Sequence, residues 1–203
     1  MKETENNIET RIIETARQLF CENGYKKTSM SDIAQAVGIN RPTLHYYYRT
    51  KDKLFEAVFS LLIQSFVPKI ELISTTDIPF EEKIEKIIDE YISIFSANPF
   101  LPQFVLGEIQ RDPDHLLAVM QKLHFDNYFS LLKKMFSDEV EKGNVKPVQP
   151  PILFLTFLSQ ITFPFLSKNI LLRAFVKDEE GFLNLIQEWK IYVIKQMKSL
   201  LIN

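Results

Sequence analysis

The side chains best suited to chemistry crowd into residues 28–55: the hydroxyls of Thr28, Ser29 and Thr43, the cations Arg41 and Lys51, and the run His45-Tyr46-Tyr47-Tyr48. These are hydrogen-bond donors and positive charges, with Asp32 and Asp52 the only carboxylates among them. Such a set grips phosphate oxygens, and a few of its members can reach base edges. Catalytic arrangements do not emerge elsewhere. His45, His115 and His124 lack metal-ligand spacing, and no His-Glu-x-x-His, cysteine cluster or Gly-rich phosphate loop is present. Asp112, Asp114 and His115 flank Pro113 and read as helix caps. The chain is therefore not expected to be an enzyme, and no cofactor or metal is expected.

The elements that must position these residues are two short helices and a turn. Ser31 or Ser29 caps the first, and Asp32 lies at the positive end of its dipole. Ile33, Ala34 and Val37 give it one apolar face, and Gly38 stops it. Ile39 plugs the corner. Asn40 caps the second helix, Pro42 sits in its first turn, and Leu44 and Tyr48 face inward. Arg41, Thr43, His45, Tyr46 and Tyr47 then face outward. This reads as a helix-turn-helix whose second member enters the major groove of double-stranded DNA. An ordinary helical hairpin is the plainer alternative. It leaves unexplained three tyrosines flanked by Arg49, Lys51 and Lys53, because exposed aromatics cost solubility unless they contact something.

Composition agrees with an all-α fold: 203 residues, 46% hydrophobic, only 5 glycines, and many Leu, Ile, Lys and Glu. Net charge is −2, which does not announce nucleic acid. Its distribution does: residues 26–53 carry six Lys/Arg against two Asp, while residues 56–203 carry 15 basic and 19 acidic residues. The single Cys21 excludes an internal disulfide, fits a reducing cytoplasm and reads as a small hydrophobe, since a redox sensor would lack a resolving partner. The polar N-terminus has no apolar signal region. The longest apolar run, 151–166, is short for a membrane span and reads as a buried helix; no membrane partner is expected.

Along the chain, a first helix over 8–23 ends at Gly24. A helix from Leu54 ends near Pro68, and Asp77 caps the next, which breaks at Asn98-Pro99. Helices follow over 101–110, 114–140 and from 151, and a last one is capped by Asp178. The domains are set at 1–54 for the helix-turn-helix and 55–203 for a helical body.

The motif pieces Arg11-Ile12-Ile13-Glu14-Thr15-Ala16-Arg17-Gln18-Leu19-Phe20, Asn23-Gly24-Tyr25, Thr28-Ser29-Met30-Ser31-Asp32-Ile33-Ala34, Ala36-Val37-Gly38-Ile39, Thr43 to Tyr48 and Lys51-Asp52-Lys53-Leu54-Phe55 resemble the N-terminal domain of the tetracycline-repressor (TetR) family. The resemblance covers about the first quarter of the chain and is specific there. It departs at His45, where the family usually has tyrosine, at Tyr48, where phenylalanine is usual, and at Pro42, where a small residue is common. Histidine at 45 makes a phosphate contact weaker or pH-sensitive.

The resemblance implies a cytoplasmic homodimeric repressor that binds a palindromic operator and is released by a small, largely apolar effector. The residues expected on DNA are Thr28, Ser29, Arg41, Pro42, Thr43, His45, Tyr46, Tyr47 and Lys51. Arg41 is the candidate reader of guanine O6 and N7, with phosphate contact as its alternative. Two heads on a two-fold axis would read half-sites ~35 Å apart. Pairing is expected through the helices around 151–166 and 182–200, which could instead lie in a monomer core. An effector site is expected among Tyr91, Phe95, Phe104, Glu108, His124, Tyr128, Gln160 and Phe163, with His124 and Tyr128 on one helix face; plain core packing is the alternative. A competing function keeps the DNA-binding dimer but gives the body a protein partner, or a role in organising DNA, in place of ligand sensing.

Overall fold

The structure, a computed structural model, describes residues 2–99 and 101–202. Among these the chain forms eleven helices: α1 (Lys2–Lys27), α2 (Met30–Val37), α3 (Arg41–Tyr47), α4 (Lys51–Thr75), α5 (Phe80–Ala97), α6 (Leu101–Arg111), α7 (Pro113–Lys122), α8 (Phe125–Glu141), α9 (Pro150–Leu166), α10 (Lys168–Ala174) and α11 (Glu179–Leu201). The all-α architecture expected from composition is the one found. The helices group into two compact units, residues 1–65 with 103–123 and residues 66–102 with 124–203.

In the first unit, α2 begins with a reciprocal cap. Ser29 Oγ accepts from Asp32 N–H at 3.1 Å, and the Asp32 carboxylate accepts from Ser29 N–H at 2.8 Å. It ends at Gly38, in the left-handed region at φ +79°, whose N–H bonds to the Gln35 carbonyl while Ile39 N–H bonds to Ala34. The Arg11 guanidinium satisfies a further α2 carbonyl, that of Val37, at 2.6 Å. A Cβ at residue 38 would meet nothing within 4 Å, so only backbone strain opposes a side chain there. Gly38→Ala should therefore cost about 1–2 kcal/mol, measured by urea denaturation, with Gly38→Asn costing less. Equal stability of all three proteins would refute the strain argument. Ile12, Ala16 and Phe20 of α1, Ile33, Ala34 and Val37 of α2, Leu44 of α3 and Leu54, Phe55 and Val58 of α4 are buried together as the core that holds α3 in place.

In the second unit, α5 and α11 pack along one another over Ile84, Ile88, Ile92, Ile186, Val193 and Met197. Lys198 pairs with Glu81 and Glu85, and Lys190 with Asp89, on the surface above that seam. Trp189 of α11 donates its indole N–H to the Gln160 carbonyl of α9 at 2.9 Å.

Several sequence expectations need correction. Gly24 does break the first helix, at φ +78° and ψ 161°, but residues 25–27 beyond it form a further helical turn that completes α1. α4 continues through Pro68 to Thr75, because Ile70 beyond the proline is fully buried and anchors the last turns. Residue 77 does not cap α5, whose N-cap is Pro79. The helix expected over 114–140 is two helices, broken at Leu123-His124, where His124 takes φ +55°. His124 consequently does not share a helical face with Tyr128. A short helix, α10, follows α9. The apolar run 151–166 is not buried within the chain: Ile161, Pro164 and Phe165 are, while Ile152, Phe154, Leu155, Phe163 and Leu166 are exposed.

Candidate nucleic-acid interface

α3 carries the candidate DNA-facing side chains. Asn40, its N-cap, accepts from both Thr43 N–H and Thr43 Oγ at 2.8 Å, which fixes the Thr43 rotamer at the helix start. Arg41 and Pro42 are exposed in the first turn, and Tyr46 is 79% exposed. Tyr47 is half-buried, its ring edge-on to Tyr46 with centroids 5.4 Å apart. Arg41 Nε donates to His45 Nε2 at 3.4 Å, and His45 Nδ1 lies 3.1 Å from the Arg49 carbonyl. Tyr48 turns inward and donates to Glu9 at 3.0 Å; burial, then that carboxylate, raises its phenol above the ordinary tyrosine range.

Two expected phosphate donors are partly committed elsewhere. Thr28 is buried, its hydroxyl shared between the Leu19 and Gly24 carbonyls at 3.1 and 3.0 Å, so that it closes the end of α1. Ser29 remains exposed, its oxygen accepting the cap bond. Lys51 spends two of its three N–H bonds on the Tyr25 and Thr28 carbonyls, at 2.9 and 3.1 Å. Burial lowers its ammonium below the ordinary lysine value.

Tyr25 has no role assigned by the sequence. Its ring lies between two cations, Lys51 Nζ at 4.0 Å and the Arg111 guanidinium at 4.2 Å from the centroid, and its hydroxyl donates to the Asp52 carboxylate. Burial, then Asp52, pushes the phenol above its usual range. Arg111 also binds the buried Glu108 carboxylate at 2.7–2.8 Å and meets His115 Nδ1 at 3.1 Å. This network ties α6 and α7 to the start of α4 within the first unit. The available signal was the Asn23-Gly24-Tyr25 motif, which marked the position without saying what packs on it.

The eight effector candidates separate. Phe104 packs on Phe20 and Phe55, and Glu108 on Arg111, both in the first unit. His124 is exposed, and Phe163 is 66% exposed on α9. Tyr91, Phe95 and Tyr128 do come together in the second unit, joined by a 2.6 Å hydroxyl–hydroxyl bond between the tyrosines and by Phe66, Phe125 and Phe157 around them. Desolvation pushes the Tyr91 phenol up to about 12. Gln160 Oε1 and Ser96 Oγ are buried with no hydrogen-bond partner among the described residues. A surface cleft of about 550 Å³ in the same unit is lined by Asp77, Phe80, Glu81, Glu139 and Asn144, and by none of these eight residues. Cys21 is half-buried, its thiol pushed up to about 11 by desolvation, which suits a packing residue better than a redox sensor.

Residues 12–58, the segment that builds this head, match the bacterial regulatory proteins of the tetR family. The head is a TetR-family DNA-binding domain. It is 21% identical over 147 residues to the HTH-type transcriptional regulator YhgD of Bacillus subtilis, covering 72% of this chain and 76% of that one. It is 22% identical over 138 residues to the fatty acid metabolism regulator protein of Bacillus subtilis, covering 67% and 70%. The fold matches the crystal structure of Bacillus subtilis FadR in complex with stearoyl-CoA with a TM-score of 0.69 at 16% identity, over 91% of this chain and 97% of that one. The chain is a DNA-binding transcriptional regulator, not an enzyme.

Proposed function

We propose that this regulator is a cytoplasmic homodimeric repressor that binds a palindromic operator and is released by a small, largely apolar ligand. The observation that carries the DNA side is the exposed first turn and outer face of α3, where Arg41, Pro42, Tyr46 and the pre-oriented Thr43 stand on a fully packed core. Ser29, Tyr46, Tyr47 and the remaining N–H of Lys51 grip phosphates, and Arg41, Thr43 and His45 face the groove. In function the chain divides after Leu54, residues 1–54 reading DNA and 55–203 pairing and sensing.

The exposed stripe Ile152, Leu155, Phe163 and Leu166 on α9, with Leu183, Ile191 and Tyr192 on α11, supports pairing of two copies through these helices. For the ligand, the support is the aromatic nest of Tyr91, Phe95 and Tyr128, with the Gln160 side-chain oxygen Oε1, unpartnered among the described residues, in the same unit. A buried acceptor left unmade costs about 1–3 kcal/mol, which a ligand donor would recover. The fatty-acid subject of one relative and the stearoyl-CoA held by one fold neighbour favour a ligand with an aliphatic chain. Phe104 and Glu108, which belong to the first unit, and the exposed His124 and Phe163 are not part of this proposed site.

Fluorescence-anisotropy titration against the DNA flanking the protein's own gene, across a salt series, tests the reading. Saturable, palindrome-dependent binding with a steep salt slope is expected, and so is release on adding stearoyl-CoA. Sequence-blind binding would sink the repressor reading. In the same assay Tyr47→Phe should weaken every DNA by about tenfold or more, because a hydrogen bond to a charged phosphate is lost. Unchanged affinity would remove Tyr47 from the interface.

A further inference from the structure

We propose that His45 is a positioning residue that sets the orientation in which Arg41 meets DNA, and so determines the base preference at the pair Arg41 reads. This rests on the reading of α3 as the recognition helix.

The argument runs from hydrogen-bond chemistry. A carbonyl oxygen can only accept, so the 3.1 Å approach of His45 Nδ1 to the Arg49 carbonyl places the ring hydrogen on Nδ1. In that neutral tautomer Nε2 is a bare lone pair. It is the atom that meets the Arg41 Nε–H, at 3.4 Å, one helical turn back along the same edge of α3. The Arg49 backbone thus fixes the tautomer, and the tautomer makes an acceptor for the guanidinium. With Nε engaged, Arg41 presents its two terminal nitrogens, the edge that matches guanine O6 and N7 as a fork. Thr43, the other groove-facing side chain of the first turn, is held in the same way by Asn40. Both are oriented before DNA arrives.

The test is a selection from fully randomised duplexes, with bound DNA sequenced for wild type and variants. Arg41→Ala should lose the preference at one base pair per half-site. His45→Ala should lose the preference at that same base pair, by about tenfold in discrimination, while the other positions keep theirs. His45→Phe keeps the bulk of the ring without either nitrogen and guards against simple misfolding; it should behave as His45→Ala does. His45→Gln, whose amide supplies one donor and one acceptor, should restore part of the preference. Wild-type preference at the Arg41 position in both His45→Ala and His45→Phe overturns the proposal, as does a uniform loss at every position. An unchanged preference in Arg41→Ala overturns the reading of Arg41 as a base reader, and the proposal with it.

Discussion

Arg111→Ala should destabilise the protein by about 3–5 kcal/mol, the largest single effect expected in the first unit. Glu108 is only 2% exposed, and its carboxylate is held by Arg111 at 2.7 Å. Removing the guanidinium leaves a buried charge without a partner, which costs far more than the pair contributes while intact. The same substitution strips one of the two cations from the Tyr25 ring. The gap should narrow in Arg111→Ala/Glu108→Gln, where nothing charged is left behind, and that recovery separates charge burial from lost packing. Urea denaturation of the three proteins reads the effect. A loss below about 1 kcal/mol for Arg111→Ala would mean that Glu108 finds water or another donor.

The second large effect is on assembly. Leu155→Glu/Phe163→Glu should convert the protein to a monomer and lower operator affinity at least about a hundredfold, since one helix-turn-helix head buries too little surface to hold DNA tightly. Leu155 and Phe163 are 61% and 66% exposed in the protomer, so the fold itself should be unaffected. Sedimentation velocity gives the mass, circular dichroism the fold and anisotropy the affinity. A folded variant that still sediments as a dimer would place the interface elsewhere.

The two halves of the chain differ in how much their residues disclose. The capping box at Ser29 and Asp32, the left-handed Gly38 and the apolar face of Ile33, Ala34 and Val37 are local devices, and local devices are legible. The Thr28-Ser29 pair is legible only in part: Ser29 is one of two candidate caps from the sequence, whereas only the packing reveals that Thr28 is buried against the end of α1. In the body the decisive forces are non-local. Pro68 signals an end, yet the burial of Ile70 overrides it. The break at Leu123-His124 carries no glycine or proline to betray it. The apolar run 151–166 could not say whether its own chain covers it. Residue type and the family resemblance mark Phe104 and Glu108 as pocket residues, and only the tertiary arrangement assigns them to the unit that contains the head.

Trp189 is the only tryptophan in the chain, and its indole N–H is tied to the backbone carbonyl of Gln160, whose own side-chain oxygen has no partner among the described residues. The molecule therefore carries a built-in optical gauge confined to α9 and α11. Its emission should report events at that seam, whether a second copy covering α9 or a guest reaching Gln160. Light absorbed at one residue can thus be followed alongside anisotropy on labelled DNA, giving separate clocks for what the two ends of the chain do.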